Sequence, residues 1–391
     1  MPWSDRSILR LSDLIALALL LLVQWRVTVI LFRSARWHFR GRAFAAARAA
    51  IAAFDTLVLL GFLLGIYKIM DLPRAASLMA GTVVLAYSVA AASVLAVSFV
   101  VRRIGHRLER GMDPGRRRVL HAAGNLLIAS PVAVLAAGFV TRTDFHVREI
   151  DVPLAGLPAS LDGLRILHLS DIHLSAFLSE HQFARVIDAS NGLRANLAVV
   201  TGDLISHVGD PLDACIRQLA RLKAEAGVFG CMGNHERYAG GEAQVRTAAA
   251  RSGIRFLRGE AHSLRFGAAT LNLAGVDYQR KGDQARYLHD ADRLVAPGAV
   301  NVLLSHNPDV FPVAARQGFD LLLAGHTHGG QVTVEILEQA LNPARFFTPY
   351  VHGLYRLGHA AAYVTRGIGT ICIPARIGAL PEITVVRLRK G

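Results

Sequence analysis

Four long apolar stretches, at residues 14–32, 49–69, 75–101 and 122–140, constrain this 391-residue chain more than any other feature. A helix of about 20 apolar residues matches the roughly 30 Å hydrocarbon core of a bilayer, so each stretch is long enough to cross it. Within lipid every backbone N–H and C=O must be satisfied inside the segment, which makes these runs helices. Arg26 interrupts the first and must turn its guanidinium to an interface or to neighbouring helices; Pro131 lies inside the fourth. The first stretch is also a poor cleavable leader, because no small-residue cleavage pattern follows it and five arginines do. The sequence thus predicts an anchor region of about four transmembrane helices over residues 1–141. The 52% hydrophobic content of the chain, above the globular norm, has its source there.

Charge is concentrated in the same half. Of the formal net charge of +14, residues 1–141 contribute 17 Lys and Arg against 6 Asp and Glu, and residues 142–391 contribute 26 against 23. A nucleic-acid-binding face would place the excess on the other half, so the pattern reads as membrane topology and no nucleic-acid partner is expected. Arg33, Arg36, Arg40, Arg42 and Arg48 follow the first stretch, and Arg102, Arg103, Arg107, Arg110, Arg116, Arg117 and Arg118 follow the third. Only Lys68 and Arg74, around Asp71, lie between the second and third. Cytoplasmic loops collect Lys and Arg, which places both Arg-rich loops inside and residues 142–391 on the extracytoplasmic side of a bacterial inner membrane. Asp55 is the only acidic residue within a span and reads as interfacial. With no intramembrane acid–base pair, the helices read as an anchor and not a transport path.

From about residue 144 the texture changes to short apolar runs separated by polar helical segments and Gly, Pro and Asp turns. Strands are predicted at 165–170, 197–201, 228–232, 300–305, 321–324, 332–334, 361–365 and 383–388, with β-rich sequence over 254–276. Helices are predicted near 180–192, 213–224 and 242–252. The alternation argues for an α/β fold, with residues 142–159 as a linker and 160–391 as one domain whose strand-end loops host the site.

Five predicted strands end in residues that bind metals. The segments are Ser170-Asp171-Ile172-His173, Gly202-Asp203, Gly233-Asn234-His235-Glu236, Ser305-His306-Asn307-Pro308 and Gly325-His326-Thr327-His328. Alternation along an extended segment would point Asp171 and His173 to one side, and His326 and His328 likewise, unless a tight turn sends the latter pair to adjacent ions. Glycines ahead of Asp203, Asn234 and His326 permit sharp strand-end turns. Carboxylate, imidazole and amide oxygen without thiolate suit Mn²⁺, Zn²⁺, Fe²⁺ or Co²⁺. A lone histidine at a strand end is more often an ordinary polar residue; five such motifs in order are not. Their donors exceed what one ion can use.

In this order the motifs D-x-H, G-D, G-N-H-E, H and G-H-x-H resemble the calcineurin-like metallophosphoesterase superfamily, over about residues 160–390. His306-Asn307-Pro308-Asp309, Gly329-Gly330-Gln331, Thr365-Arg366-Gly367-Ile368-Gly369-Thr370 and Pro381-Glu382-Ile383 resemble its subgroup carried behind a signal or transmembrane helices. The resemblance implies a sandwich of two mixed β-sheets flanked by helices. It implies two divalent metal ions, Mn²⁺ foremost, one held by Asp171, His173 and His328 and the other by Asn234, His306 and His326, with Asp203 bridging. It further implies hydrolysis of a phosphomonoester or phosphodiester by a hydroxide shared between the ions, with His235 donating a proton to the leaving group or positioning the phosphate. Leu174-Ser175-Ala176 departs from the family, where Gly often stands shortly after D-x-H; this alters the loop beside the site and removes no ligand.

Several further residues carry alternatives. Asn307, Thr327 and Gln331 are placed to orient ligand imidazoles. His207, shortly after Asp203, reads as a surface residue ahead of an assisting role in the chemistry, and Asp277, Tyr278, Arg280 and Lys281 read as a solvated turn or a pocket wall. Phe346, Phe347 and Tyr350 read equally as a lipid-facing lip and as a packed loop. Cys215, Cys231 and Cys372 form no CxxC; three free thiols are favoured over a Cys215–Cys231 bridge. A membrane anchor favours the bilayer as partner and a lipid-linked or cell-envelope phosphate ester as substrate, with oligomeric state left open. A non-catalytic metal-binding sensor is the alternative of a different class.

Overall fold

The computed structural model describes residues 11–65, 74–108, 113–280, 282–331, 333–336 and 339–391; Lys68, Asp71, Arg110, Lys281 and Val332 lie outside these. Contacts divide the chain into two compact units, Met1–Ala136 and Ala137–Gly391.

The first unit is built from α1 (Leu11–His38), α2 (Gly41–Gly65), α3 (Arg74–Leu108) and most of α4 (Pro114–Val140). The spans long and apolar enough to cross a membrane are Leu17–His38, Gly41–Gly65, Met79–Gly105 and Pro114–Thr143. The shortest has 22 residues and is roughly 33 Å long as a helix. Large apolar side chains such as Leu57, Phe99 and Leu126 point outward, as a lipid solvent requires. Leu20, Val58, Phe62 and Val84 pack α1, α2 and α3 together. A Cβ on Gly65 would fall 2.1 Å from the Gly81 nitrogen, so α2 and α3 cross with their backbones touching.

The structure gives Asp55 a different place from the interface. It lies in the middle of α2, where it accepts from Gln24 Nε2 at 2.6 Å and Thr28 Oγ1 at 2.8 Å, both on α1. Tyr87 of α3 donates to Gln24 Oε1 at 2.7 Å. Such a knot of polar groups ties three helices where hydrophobic attraction between them is weak.

The second unit contains two mixed six-stranded sheets. One runs in the order β1 (His146–Leu154), β14 (Glu382–Lys390), β2 (Arg165–Leu169), β3 (Leu197–Thr201), β4 (Val228–Cys231), β5 (Ile254–Phe256). The other runs β12 (Gly353–Leu357), β13 (Ala360–Val364), β9 (Leu321–Ala324), β8 (Val300–Leu304), β7 (Ala269–Gly275), β6 (Glu260–Phe266). A hairpin of β10 (Val334–Ile336) and β11 (Gln339–Leu341) stands apart. Strand alternation sorts the cores. Ile166, Val199, Val302, Leu321 and Val386 fill the space between the sheets. Leu167 and Val200 turn the other way, against α5 (Glu180–Gly192), α6 (Leu212–Leu219) and α8 (Glu242–Arg251). Leu303 and Leu322 meet α9 (Phe311–Gln317) on the opposite outer face. This is the predicted sandwich of two mixed sheets flanked by helices. Cys215 and Cys231 are buried and unbridged.

Candidate active site

Parallel pairing of β2 with β3 and β4, and of β8 with β9, brings the loops at their carboxyl ends together. Asp171 and His173 follow β2, Asp203 follows β3, Asn234 and His235 open the short helix α7 (Asn234–Tyr238) after β4, His306 follows β8, and His326 and His328 follow β9. All but His326 are buried. Their donor atoms form three overlapping groups, each within 4.8 Å: Asp171, His173 and His328; His173, Asp203 and His235; Asp203, His306 and His326. His326 and His328 therefore serve neighbouring foci. Asp203 Oδ2 stands between them, 3.5 Å from His173 Nε2 and 3.0 Å from His306 Nε2.

The backbone reaches this arrangement by conformations that side-chain-bearing residues rarely adopt. Asp171, His173, Asp203, His326 and His328 have φ of 51°, 48°, 55°, 75° and 53°. Left-handed φ at so many non-glycine positions costs energy and concentrates at functional sites. Asp171 and His173 are thus not on an extended segment as the sequence suggested; they converge through two left-handed turns. Nor do the preceding glycines all supply turns. A Cβ on Gly233 would lie 2.1 Å from Asp203 Oδ1, and one on Gly325 would lie 2.3 Å from Asp171 Oδ2, so these two are required for close approach.

The ring orientations follow from what lies behind them. A carbonyl can only accept, so Nδ1 of His235, 2.6 Å from Ser206 O, and Nδ1 of His306, 2.6 Å from Thr201 O, carry the protons. Nδ1 of His173 meets Ser206 Oγ at 3.0 Å, and Nδ1 of His328 faces the Arg376 guanidinium at 3.3 Å. Burial drives His173 and His328 far below the ordinary imidazole value and takes His326 down to about 4. Neutral rings present lone pairs, and Nε2 of His173 and Nε2 of His328 face each other at 3.2 Å. Burial disfavours a charge on His306 too, but the Asp203 carboxylate overrides it and raises the ring to about 10. Asn234 Oδ1 is buried without a hydrogen-bond partner. Facing lone pairs, an orphaned amide oxygen and a shared carboxylate make a donor set that fits divalent cations.

Three further residues give the site its frame, and of these Arg376 alone carries no signal in the sequence. Glu236, fully buried, accepts from Gly233 N at 2.8 Å, Asp203 N at 2.9 Å and Leu204 N at 2.6 Å, clamping two strand-end loops together. Arg376, also fully buried, donates to His328 O and Arg366 O, each at 2.8 Å, and to Gly369 O at 3.0 Å. Tyr278 places its ring 5.4 Å from His326 and 6.0 Å from His306. With Tyr238, Arg280, Gly282 and Asp283 it lines a cavity of about 440 Å³. Asp277 instead pairs with Arg258 at 2.7 Å, away from that wall.

The expected imidazole supports act elsewhere. Asn307 donates to Gln279 O, Thr327 to Val351 O, and Gln331 to Ile371 O and Ile373 O, so all three staple loops. Main-chain carbonyls, Ser206 and Arg376 hold the rings in their stead. His207 is exposed, with its ring 6.1 Å from that of His235.

Comparison with known proteins places this geometry in context. The calcineurin-like phosphoesterase family profile matches residues 164–330. The transmembrane protein with metallophosphoesterase domain of Danio rerio is 32% identical over 259 residues, 63% of this chain and 57% of that protein. The protein of the same name from Bos taurus is 26% identical over 393 residues, 93% of this chain and 85% of its own, so the likeness extends into the helical half. The uncharacterized metallophosphoesterase YkuE of Bacillus subtilis is 30% identical over 239 residues, 60% of this chain and 82% of its own length. Likeness of that extent, over a domain whose ordered motifs gather at one end of a two-sheet sandwich, shows that the chain belongs to the calcineurin-like metallophosphoesterase family, as a member with membrane-spanning helices ahead of its domain.

Proposed function

We propose that the protein is a membrane-anchored, two-metal phosphoesterase acting on a phosphomonoester or phosphodiester presented at the membrane, with its domain on the extracytoplasmic side of a bacterial inner membrane. The observation that carries this reading is the position of Asp203 Oδ2 between two sets of imidazoles. Asp171, His173 and His328 would hold one divalent ion and Asn234, His306 and His326 the other, with Asp203 common to both. The donors suit Mn²⁺, and also Zn²⁺, Fe²⁺ or Co²⁺. When bound, such a pair makes water nucleophilic near neutral pH and neutralises charge on the phosphoryl oxygens.

The remaining work falls to side chains. His235, its Nδ1 proton fixed on Ser206 O, turns Nε2 toward the site, where that nitrogen holds a proton for the departing oxygen. The cavity walled by Tyr278 and Tyr238 receives the group attached to phosphorus, and exposed Arg280 at its rim favours an anionic one. Residues 141–145 alone separate α4 from β1. So short a connection, three of its residues in a 3-10 turn, keeps the domain tethered to a membrane anchor and favours lipid-linked or envelope esters.

Hydrolysis of p-nitrophenyl phosphate and bis(p-nitrophenyl) phosphate by the purified full chain in Mn²⁺ tests the reading. Metal-dependent turnover of one ester is expected. Asp203→Asn should lower it at least a hundredfold, beyond the loss typical of groups behind a ligand. His235→Ala should retain metal and lose about a hundredfold in kcat. Turnover unchanged in Asp203→Asn would sink the proposal.

A further inference from the structure

We propose that residues 345–349 form a lipid-inserting lip, so that the surface beside the candidate active site docks on a bilayer and takes its substrate from that surface. The substrate half of this proposal rests on the phosphoesterase reading; the contact with lipid does not. Phe346 is 90% exposed and Phe347 70%, the former more exposed than any other large apolar side chain among the described residues. Arg345 and Pro349 beside them are exposed too. Adjacent aromatic rings with a neighbouring cation form the composition that partitions into a headgroup region.

The turn carrying these rings is tied down by hydrogen bonds at both ends, and its feet stand on the candidate ligand loops. Asn342 opens it, accepting from Ala344 N at 2.9 Å while donating to Gly329 O and Thr333 Oγ1, each at 2.8 Å. A Cβ on Gly330 would lie 2.0 Å from Asn342 Oδ1, so the two segments are packed without slack. At the other end Thr348 N donates to Ala344 O at 3.0 Å, and Thr348 Oγ1 donates to Asp309 Oδ1 at 2.5 Å. Thr327 Oγ1 donates to Val351 O at 2.5 Å. One foot therefore rests on the loop of His326 and His328, the other on the loop that follows His306. A loop folded for its own packing would bury the rings; here the feet, Asn342 and Thr348, are buried and the rings are outside.

The occupant follows from the chain itself. Four candidate spans precede the domain, and residues 141–145 are its tether. So short a tether keeps bilayer at high effective concentration, so two rings and an arginine suffice for contact.

The test uses the full chain in vesicles of phosphatidylcholine and phosphatidylglycerol, with Phe346→Trp as reporter. Native Trp3, Trp25 and Trp37 precede the domain, and the parent protein supplies their background. The added indole emission is expected to shift to the blue and to be lost when the acyl chains are brominated. Unshifted emission that brominated lipid leaves untouched overturns the lip, whatever the protein's activity. A second arm compares Phe346→Ser/Phe347→Ser with the parent on two esters sharing one scissile bond. Rates on p-nitrophenyl methyl phosphate in water should stay within about twofold, while kcat/KM for vesicle-borne p-nitrophenyl hexadecyl phosphate should fall about tenfold. Equal loss on both, or on neither, overturns the lip. Failure of the parent on both diesters and on p-nitrophenyl phosphate overturns the phosphoesterase reading, and the indole still decides the lip. Loss of a dimer in the double variant, without quenching in the parent reporter, makes the face a contact between copies and also overturns it.

Discussion

His168 shows how much of this domain depends on histidines kept neutral. It lies on β2, fully buried, with Nε2 2.8 Å from Thr201 Oγ1 and Nδ1 buried without a partner. Burial lowers it to about 3. In the unfolded chain it titrates near 6.5, so between those values the unfolded state binds the extra proton. Its contribution is full above about pH 6.5 and is lost as pH falls through that window, by roughly 3 kcal/mol near pH 4. His168→Leu should flatten the acid side of the stability curve. Thermal midpoints of the full chain in detergent across that range check it, and parallel curves for parent and variant would contradict it. Asp171, His173, Asp203, Asn234, His306, His326 and His328 are legible because their chemistry is written in their side chains. Arg376 is not, because it holds carbonyls, which every residue has. Asn307, Thr327 and Gln331 mislead for the complementary reason: they sit next to ligands in sequence, while their hydrogen bonds run to distant loops.

At the scale of elements, short buried strands were read from unbroken apolar runs such as Leu197–Thr201 and Leu321–Ala324. β1 falls within the expected linker, 142–159, because it is an edge strand with Arg148, Glu149 and Asp151 interrupting the apolar alternation. Its charges are paired across the sheet, Glu149 with Arg165 at 2.8 Å and Asp151 with Arg387 at 2.5 Å. β12 goes unread because it gains its pairing from β13 and has no buried run of its own, and the strand expected at 332–334 meets β10 only at Val334. The helices are the opposite case, set by length and apolarity alone. Their direction follows from arginines: the helix ends around the α1–α2 and α3–α4 connections are arginine-rich and those around the α2–α3 connection are not. An enzyme reporter active only outside the cytoplasm, fused after Val140, is expected to be active. A reporter active only when cytoplasmic, giving signal at the same position, would reverse the orientation.

The whole molecule couples a lipid-facing anchor to a domain that spends conformational strain on one cluster of ligands. Five of the seven candidate ligands hold left-handed φ, and two glycine contacts leave no room for a Cβ. Strain of this kind persists only where the surrounding fold over-determines it, and here Glu236 and Arg376 supply the determination. Counting bound metal tests whether Asp203 joins two cation sites. Purified full chain, loaded with Mn²⁺ and freed of excess, should carry two ions. Asp171→Ala and His306→Ala should each carry one, and Asp203→Ala fewer than one, with circular dichroism matching the parent. A parent that holds a single ion, or an Asp203→Ala protein that keeps two, would contradict the account.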